Sequence, residues 1–446
     1  MKNTRQPLFA LALVTLTIAS SCGPRPFVPP AAGTPIPSGT GDIRPASVAV
    51  AQSKAPRTKN PPVPPEDLRA LAAGNTQFAF DLYRSLRAGK GNLFLSPYSI
   101  SLALAMTFGG AEGDTASQMA GTMHFALPPS SLHPAFNAYS QDLQGRAAAS
   151  KEGTPFELTI ANSLWGQKSL PFRSDFLDLL AENYGAGLRL VDFTSNPEAA
   201  RLAINQWVSD ETKQKILDLI PAGAIDPLTR LVLANAIYFK AGWQSSFDKK
   251  ASQSEPFHLL DGSTVKVSMM NQKGKFGYAL MSGYRAIDLP YQTGSLSMWI
   301  LLPDSGQFQS VEQQLNPGMI TDLAGSVKYG SVDLSLPKFS YESSFNLNET
   351  LKTLGMTDAF DPVRADFSGM DGEHDLYIGN VMHKAFVSVD ENGTEAAAAT
   401  AVVMEASVAE AGGPIIFTVD RPFIFFIRDD QTGSLLFMGR VLDPTG

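Results

Sequence analysis

The side chains that could act as nucleophiles, bases or metal ligands are few and scattered in this 446-residue sequence. The only cysteine is Cys22, and the histidines are His124, His133, His258, His374 and His383. No histidine lies in an HExxH pair or at a ligand spacing from cysteine, so we predict no metal site. The sequence also lacks a G-x-S-x-G elbow, a Walker A loop and a G-x-G-x-x-G fingerprint. These absences disfavour an enzyme without excluding one, because catalytic triads are scattered in sequence. We expect a protein that is not an enzyme and binds no cofactor.

Cys22 lies at the end of a segment with the charged, apolar and small-residue pattern of an export signal. Lys2 and Arg5 precede the apolar run LFALALVTLTIASS, which is too short to span a bilayer, since that takes about 20 residues. The stretch IASSC resembles a bacterial lipoprotein signal, although Ala19 stands where that family favours Leu. This resemblance implies cleavage after residue 21, lipidation of Cys22 and a membrane-anchored protein facing the periplasm or the cell exterior. Plain secretion is the alternative.

Residues 22–65 form a segment of low complexity. It contains twelve prolines among Gly, Ala, Ser and Thr and almost no aromatic residue. Such a composition cannot bury enough apolar area to fold, and proline keeps the backbone extended. We predict a disordered tether between the membrane and a folded domain that begins at residue 66.

The folded part is predicted to be α+β. Apolar residues recur at helical spacing from residue 66 to 88 and again over 204–220, and residues 92–119 contain a mostly apolar helix. Segments rich in β-branched residues follow at 229–243, 295–303 and 331–339, and residues 422–441 form a hairpin around DQTG. Helices precede strands without βαβ alternation, which favours a mainly antiparallel sheet architecture.

A run of small residues, TEAAAATAVVMEASV, follows an acidic turn near the C-terminus. From Thr394 every even position to 408 is uncharged, whereas the odd positions include Glu395 and Glu405. Because strands place alternate side chains on opposite faces, this segment could bury one face and expose the other. A surface helix rich in Ala, Glu and Met is equally compatible with the pattern.

Several segments, in order, resemble the serpin family of trapping protease inhibitors. They are NLFLSPYSISLALAM, LTIANSLWGQ, YGAGLRLVDF, INQWVSDETKQKI, LVLANAIYFKAGW, VSMMNQ, LSLPKF, LGMTDAF, MHKAFVSVDENGTEAAAATA and FTVDRPFIFFI. Arg421 stands where His is commoner in the last motif. The resemblance implies one serpin domain over residues 66–446, with an N-terminal helical part, a large mixed or antiparallel central sheet, further sheets and an exposed reactive loop at about 391–416.

The resemblance also implies roles for individual residues. The hinge at which the cleaved loop begins to insert into the sheet corresponds to Glu391, Gly393, Thr394, Ala396, Ala397, Ala398 and Ala399. A cluster that governs sheet opening corresponds to Ser96, Ser99, Asn235 and His383, with Trp207 at the top of the sheet. For the turn residues and His383, an ordinary turn and an ordinary buried histidine are the alternatives. For Trp207, the alternative is simple core packing.

The family spacing from Glu391 places the scissile bond between Ser407 and Val408. The loop is a few residues longer than is common, so Met404, Glu405, Ala406 and Ala409 remain candidates. Small side chains here indicate an elastase-like or subtilisin-like target, whereas Glu405 or Glu410 would suit a glutamyl-specific protease.

The expected partner is a serine protease, or a cysteine protease, held in a covalent complex by a monomeric inhibitor. A net charge of −8 without a basic cluster predicts no nucleic-acid partner. The alternative function is a non-inhibitory serpin that binds a ligand or a partner protein, and a hydrolase ranks third. The uncharged alanines after Thr394 favour inhibition.

Overall fold

The computed structural model describes residues 45–149, 157–394 and 413–446. Its α-helices are α1 (Pro65–Leu86), α2 (Pro97–Phe108), α3 (Gly113–Met123), α4 (Pro129–Ala149), α5 (Ser174–Tyr184), α6 (Pro197–Glu211), α7 (Phe308–Gln314), α8 (Pro317–Ser326), α9 (Asn348–Thr353) and α10 (Ser368–Asp371). Short 3₁₀ turns occupy Lys249–Ala251 and Asp358–Phe360.

The strands are β1 (Ala49–Ala51), β2 (Leu93–Leu95), β3 (Glu157–Gln167), β4 (Leu188–Val191), β5 (Leu231–Gly242), β6 (Gln253–His258), β7 (Thr264–Met281), β8 (Tyr284–Pro290), β9 (Leu296–Pro303), β10 (Lys328–Pro337), β11 (Phe339–Asn346), β12 (Ile378–Asp390), β13 (Gly393–Thr394), β14 (Ile415–Thr418), β15 (Phe423–Asp429) and β16 (Leu435–Val441). The predicted α+β class, the strands near 229–243, 295–303 and 331–339, and the C-terminal hairpin are confirmed.

The first sheet has the strand order β1-β4-β3-β5-β13-β12-β11. At its centre β5 pairs antiparallel with β3 and parallel with β12. Eleven of the twelve residues of β5 are buried, because α2 contacts one face of the sheet and α6 the other. A strand covered on both faces must be almost continuously apolar, which explains the sequence LVLANAIYFKAG.

The second sheet follows the path β14-β10-β7-β8-β9-β15-β16-β2, with β6 paired to β7. Its inner face and the first sheet enclose α2, all twelve residues of which are buried or nearly so. A smaller apolar cluster lies under α6 on the outer face of the first sheet and includes Trp165, Ile204, Ile216 and Val232. The two faces of β5 therefore contact two different apolar clusters.

The helix predicted over 204–220 is shorter in the structure. Helix α6 ends at Glu211, and Lys213, Gln214 and Asp218 have positive φ angles. The hydroxyl of Thr212 donates to the carbonyl of Val208 and accepts from the backbone N–H of Ile216. This side chain competes with helical backbone bonds, so the apolar residues after it pack as an irregular segment rather than as a helix.

Residues 45–64 lie against the domain, although the sequence analysis assigns them to the tether. Strand β1 pairs antiparallel with β4 and extends the first sheet by one strand. On either side of β1, Ala46 is hydrogen-bonded to α6, Thr58 to α5 and Arg57 to α4. Proline does not exclude such contacts, because it favours extended backbone that can lie along a sheet edge. Among the described residues, no helix is both long and apolar enough to cross a membrane.

Candidate functional site

The predicted hinge begins where β12 ends. Glu391 is almost fully buried, and its carboxylate lies 2.6 Å from both Lys338 Nζ and Ser252 Oγ. Burial opposes its ionisation, but the hydrogen bonds from Lys338 and Ser252 outweigh this and hold the pKa of Glu391 below its ordinary value. The backbone N–H of Phe247 donates to the Glu391 carbonyl at 2.8 Å. Glu391 is thereby fixed as an anchor for the chain that follows.

Gly393 and Thr394 then enter the first sheet as β13, between β5 and β12. Thr394 pairs with Ala241 on one side and Val389 on the other. Gly393 has a φ of 150°, and a Cβ there would lie 2.1 Å from the Ala241 carbonyl oxygen, so only glycine fits. Thr394 is 1% exposed, and its hydroxyl lies 2.7 Å from the Tyr291 hydroxyl.

Trp243 holds this entry point in place. Its backbone N–H donates to the Asn392 carbonyl at 2.9 Å, and its indole N–H donates to the Asp390 carbonyl at 3.0 Å. The indole stacks on Tyr291 with a centroid distance of 4.9 Å. The hinge is therefore bounded by two stacked aromatic rings and an ion pair in which Glu391 is buried and Lys338 is partly exposed.

Beyond β13 the gap between β5 and β12 is closed. From Phe386 back to Ile378 the two strands pair directly, with His383 opposite Asn235. At this position the structure brings together four predicted residues and one that the sequence analysis missed. We call them the polar cluster: Ser96, Ser99, Asn162, Asn235 and His383.

The polar cluster is one connected hydrogen-bond network. The backbone N–H of Ser96 donates to His383 Nε2 at 3.3 Å, so His383 Nδ1–H donates to the Asn235 carbonyl oxygen. The Asn235 amide donates to Ser99 Oγ at 2.7 Å and also to Asn162 Oδ1. Asn162 in turn donates to the Ser99 carbonyl at 2.9 Å. Side chains of β3, β5 and β12 are thus hydrogen-bonded to one another and to the N-terminal turn of α2.

Helix α2 provides this turn because of its own capping residues. Ser96 is the N-cap, and its hydroxyl accepts from the backbone N–H of Ser99 while it donates to the Leu436 carbonyl. Pro97 follows at the first helical position, where a missing N–H costs nothing. His383 is fully buried, and burial lowers its pKa to about 3. The imidazole is therefore neutral, as an Nε2 that accepts a hydrogen bond requires.

The structure corrects the position of Trp207. This residue lies on α6, its ring 5.9 Å from that of Trp165, and the Arg189 guanidinium lies 4.6 Å from its centroid. Trp165 pairs with Val232, nine residues along β5 from the Ala241 that faces Thr394. This separation is about 30 Å in a strand. The tryptophan beside the hinge is Trp243, the last residue of the motif LVLANAIYFKAGW, and the motif alone does not assign it this position.

The remaining predicted site residues lie outside the described residues. They are Cys22, Ala396, Ala397, Ala398, Ala399, Met404, Glu405, Ala406, Ser407, Val408 and Ala409. Lys338, Ser252 and Tyr291, which contact the hinge, were also missed, since only the fold brings them to it. Asn162 belonged to a quoted motif, but its register opposite Asn235 could not be deduced from that motif alone.

Comparison with known proteins agrees with this geometry. The family model described as "Serpin (serine protease inhibitor)" matches residues 73–444. Human leukocyte elastase inhibitor is 41% identical over 388 residues, which cover 84% of this chain and 100% of the relative. An uncharacterized serpin-like protein of Thermococcus kodakarensis is 42% identical over 369 residues, covering 82% of this chain and 84% of that protein.

Solved structures agree as well. Native tengpin, a thermophilic serpin, superposes with a TM-score of 0.77 at 32% identity, over 88% of this chain and 99% of its own. Human thyroxine-binding globulin superposes with a TM-score of 0.74 at 31% identity, over 85% of this chain and 100% of its own. The sequence, the fold and the residues around the hinge all agree, and this chain belongs to the serpin family.

Proposed function

We propose that this serpin inhibits a serine protease as a suicide substrate. The protease cleaves the loop after the hinge, and the loop then inserts between β5 and β12 while it is still attached to the protease. The observation that carries this proposal is the position of Gly393 and Thr394. These two residues already occupy the gap between β5 and β12 at one end, whereas the rest of that gap is closed by direct pairing.

Continuing the register of β13 supports the proposal. In an inserted state each following residue would pair with the preceding residue of β5, so 394 opposite Ala241 would lead to 404 opposite Leu231. Even positions would then share a face with Phe239, Ile237 and Leu233, which belong to the inner apolar cluster. All even positions from 394 to 408 are uncharged, whereas Glu395 and Glu405 would point to the opposite face. The alternation of the sequence therefore fits the two faces of the gap.

The same register places position 400 between the two central residues of the polar cluster. On β5 it would lie opposite Asn235, and on β12 opposite His383. This residue is Thr400, the only hydroxyl residue between Glu395 and Glu405. Insertion separates His383 from Asn235, which would leave a buried donor and acceptor without partners. A hydroxyl can donate and accept, so Thr400 could satisfy both groups after insertion.

The expected energies are sufficient. An insert of about 14 residues rises about 3.3 Å per residue and would move an attached protease by roughly 45 Å. About a dozen new backbone hydrogen bonds, each contributing roughly 0.5–1.5 kcal/mol, would release on the order of 10 kcal/mol. Loop insertion in serpins is a known example of a stored-strain switch. The closed gap described here would then be metastable relative to the inserted state.

We propose a target with a shallow, small-residue primary pocket, elastase-like or subtilisin-like, and cleavage between Ser407 and Val408. The leukocyte elastase inhibitors among the relatives are consistent with this target by name. Met404, Glu405, Ala406 and Ala409 remain neighbouring candidates. Cleavage after Glu405 or Glu410 by a glutamyl-specific protease is the alternative, and a cysteine protease could use the same insertion.

The second candidate function is ligand or partner binding without inhibition. One relative of known structure, thyroxine-binding globulin, is named for such a role. Insertion in this chain is favoured by the small residues Ala396–Ala399, which would meet no steric obstacle between two strands. This composition of the hinge supports the inhibitory function over the binding function.

The test is to incubate the purified chain with an elastase-like, a subtilisin-like and a glutamyl-specific protease, and to separate the products on a denaturing gel. We expect a covalent adduct of summed mass and a small C-terminal peptide whose mass identifies the scissile bond. Quantitative cleavage of the loop with full protease activity remaining would contradict inhibition. Sustained turnover of ester or peptide substrates by the chain itself would favour a hydrolase.

We further propose that the protein is exported and anchored to a membrane through a lipid on Cys22, acting as a monomer outside the cytoplasm. The proposal rests on the lipoprotein-like signal. Expression in a bacterial host with a labelled fatty acid should label the wild-type protein and leave Cys22→Ser unlabelled. Release of unlabelled wild-type protein into the medium would instead indicate plain secretion.

A further inference from the structure

Residues 45–60, which we call the N-terminal brace, connect parts of the fold that must separate when the first sheet opens. At one end the backbone N–H of Ala46 donates to the Ala199 carbonyl on α6 at 3.0 Å, and β1 pairs with β4. At the other end Arg57 Nε donates to Asn137 Oδ1 on α4 at 2.8 Å. The brace therefore joins α6 and the outer edge of the sheet to α4.

The contacts with α4 and α5 are specific rather than incidental. The carbonyl of Thr58 accepts from the side-chain amides of Asn137 and Gln141 at 2.9 and 2.8 Å. Its N–H donates to the Glu182 carbonyl on α5 at 2.9 Å. Asn137 is fully buried, and loss of the brace would remove its bonds to Thr58 and Arg57 and leave it only those to Glu182 and Gln141.

The turn between α5 and β4 is shaped to admit the brace. A Cβ at Gly187 would lie 2.8 Å from the Ala51 carbonyl oxygen, closer than real Cβ contacts allow. At Gly185, with a φ of 61°, a Cβ would lie 3.0 Å from Arg57 Cδ. Two glycines thus permit a close approach that larger side chains would prevent.

One end of the brace is attached to the part of the sheet that moves. When β5 parts from β12, β3 and β4 move with β5, because β3 pairs with both strands. Helix α6 moves with them, since it covers β3 and β5 and is joined to β4 by Arg189, whose guanidinium lies over the rings of Trp165 and Trp207. Strand β1 and Ala46 are bonded to this moving unit.

The other end is attached to α4, which is bonded to the second sheet although it also packs against α5 and β3. Arg146 of α4 makes a salt bridge at 2.8 Å to Asp429, which is fully buried at the end of β15. The Tyr139 hydroxyl, also on α4, donates to the same carboxylate at 3.0 Å. Opening of the sheet must therefore stretch or detach the brace.

Arg57 lies at the point where the brace faces the polar cluster. It borders a cavity of about 100 Å³ whose lining includes Tyr98, Tyr184 and Asn162. Asn162 belongs to the polar cluster, so the brace and this cluster line the same cavity through Arg57 and Asn162. Release of Arg57 would admit water to this cavity. Water there would compete for the hydrogen bonds of Asn162 and so weaken the polar cluster that holds β5 and β12 together.

We propose that the N-terminal brace sets the rate at which the first sheet opens, and that its release primes the serpin for insertion. The proposal rests on the proposed function, because both concern parting of β5 from β12. Its test therefore uses a readout that requires no protease. A synthetic peptide with the sequence of residues 394–407 is added to the full-length protein, and its rate of incorporation into the gap is followed on native gels.

Arg57→Ala is the test variant and Lys54→Ala the matched control. Each removes one positive charge from the brace, but the Lys54 side chain is exposed whereas Arg57 bonds to Asn137. We expect Arg57→Ala to incorporate the peptide at least fivefold faster than Lys54→Ala, which should match the wild type. Equal rates in the two variants would overturn the proposal.

A cross-link provides an independent arm if Arg57→Ala folds poorly. Ala49 and Leu190 are opposite residues of the antiparallel pair β1–β4, where Cα atoms lie about 4.5–5.5 Å apart, within disulfide range. In a Cys22→Ser background, Ala49→Cys/Leu190→Cys should incorporate peptide at least fivefold more slowly when oxidised than when reduced. Equal rates would refute the brace. A wild type that traps no protease, with both brace effects present, would refute only the inhibitor proposal.

Discussion

The hinge and the polar cluster lie along the same gap between β5 and β12, yet they are held by different interactions. At the hinge, β13 already separates the strands, and the fixed points are the Glu391–Lys338 ion pair and the Trp243–Tyr291 stack. At the polar cluster, the strands pair directly, and five uncharged side chains or backbone groups complete each other's hydrogen bonds. The hinge already accommodates an inserted strand, whereas the polar cluster holds β5 and β12 together and so opposes further insertion.

This difference indicates where the energy barrier of insertion lies. Entry at the hinge requires no strand separation, because Thr394 is already in register with Ala241 and Val389. Extension as far as residue 400 requires the bond between His383 and Asn235 to break, and both residues are buried, where unpaired polar groups are costly. Substitutions at the hinge should therefore affect trapping, whereas substitutions at the cluster should affect spontaneous opening.

Thr394→Arg should have the largest effect. Thr394 is 1% exposed and hydrogen-bonded to Tyr291, so a guanidinium there would have to be buried or would expel β13 from the sheet. We expect the moles of serpin needed to inactivate one mole of protease to rise more than tenfold, with cleaved serpin replacing the covalent complex. Denaturing gels of the reaction measure both products.

Thr394→Val is the matched control for that variant. It keeps the shape and the burial of the side chain and removes only the hydroxyl. We expect a change of less than threefold in the same stoichiometry. Complex formation in full yield by Thr394→Arg would show that β13 has no part in insertion.

His383→Ala should act on the other region. It removes the acceptor for the Ser96 N–H and the donor to Asn235, and leaving such buried groups unpaired costs about 1–3 kcal/mol. The substitution should destabilise the closed state more than the inserted state, in which Thr400 replaces the contact. Spontaneous conversion to the inserted state should therefore accelerate about 10- to 100-fold. Native gels after mild heating without protease measure the conversion.

The control for this prediction is His374→Ala, because His374 is an exposed histidine that precedes β12 and contacts Asp366 rather than the polar cluster. It should convert at the wild-type rate. An unaltered gel pattern for His383→Ala after the same heating would mean that the polar cluster is ordinary buried packing.

The two regions were also predictable to different degrees. The motif around Glu391, Gly393 and Thr394 is contiguous, so its resemblance to a family hinge could be seen in the sequence. The polar cluster draws on β3, β5, β12 and α2, and its fifth member, Asn162, is identified only by the register of β3 against β5. Trp207 lies within a helix and Trp243 directly after an apolar strand, and composition cannot decide which of them lies at the hinge. Arg57 lay in a segment whose prolines predicted no fixed contacts.

The pH dependence should separate the polar cluster from the rest of the fold. Burial lowers the pKa of His383 from 6.5 to about 3, so as the pH falls below 6.5 the opened or unfolded state takes up a proton that the native state does not. Native stability should therefore fall as the pH decreases from 7.5 to 5. Thermal unfolding or conversion rates measured across this range follow the effect.

Asp288 has the opposite tendency, since burial raises its pKa to about 6 and its contribution increases as the pH falls. His133, whose pKa burial lowers to about 4, acts in the same direction as His383. The slope of native stability against pH must therefore be compared between the wild type and His383→Gln, with His374→Gln as control. A slope that His383→Gln leaves unchanged would assign the pH dependence to His133 or the carboxylates.

The smallest effect is expected for Trp207→Phe, which sharpens the comparison through its counterpart Trp243→Phe. Each substitution removes one indole. The Trp243 N–H donates to the Asp390 carbonyl beside the hinge, whereas the Trp207 N–H has no hydrogen-bond partner among the described residues. Trp207→Phe should therefore lose only part of a cation–π contact with Arg189, about 0.5–1 kcal/mol of unfolding free energy, and leave the stoichiometry of inhibition unchanged.

Trp243→Phe should raise the stoichiometry of inhibition several-fold. If instead Trp207→Phe produced the larger rise, strand entry would be controlled from α6, and the contrast between the two regions would have to be redrawn around that helix.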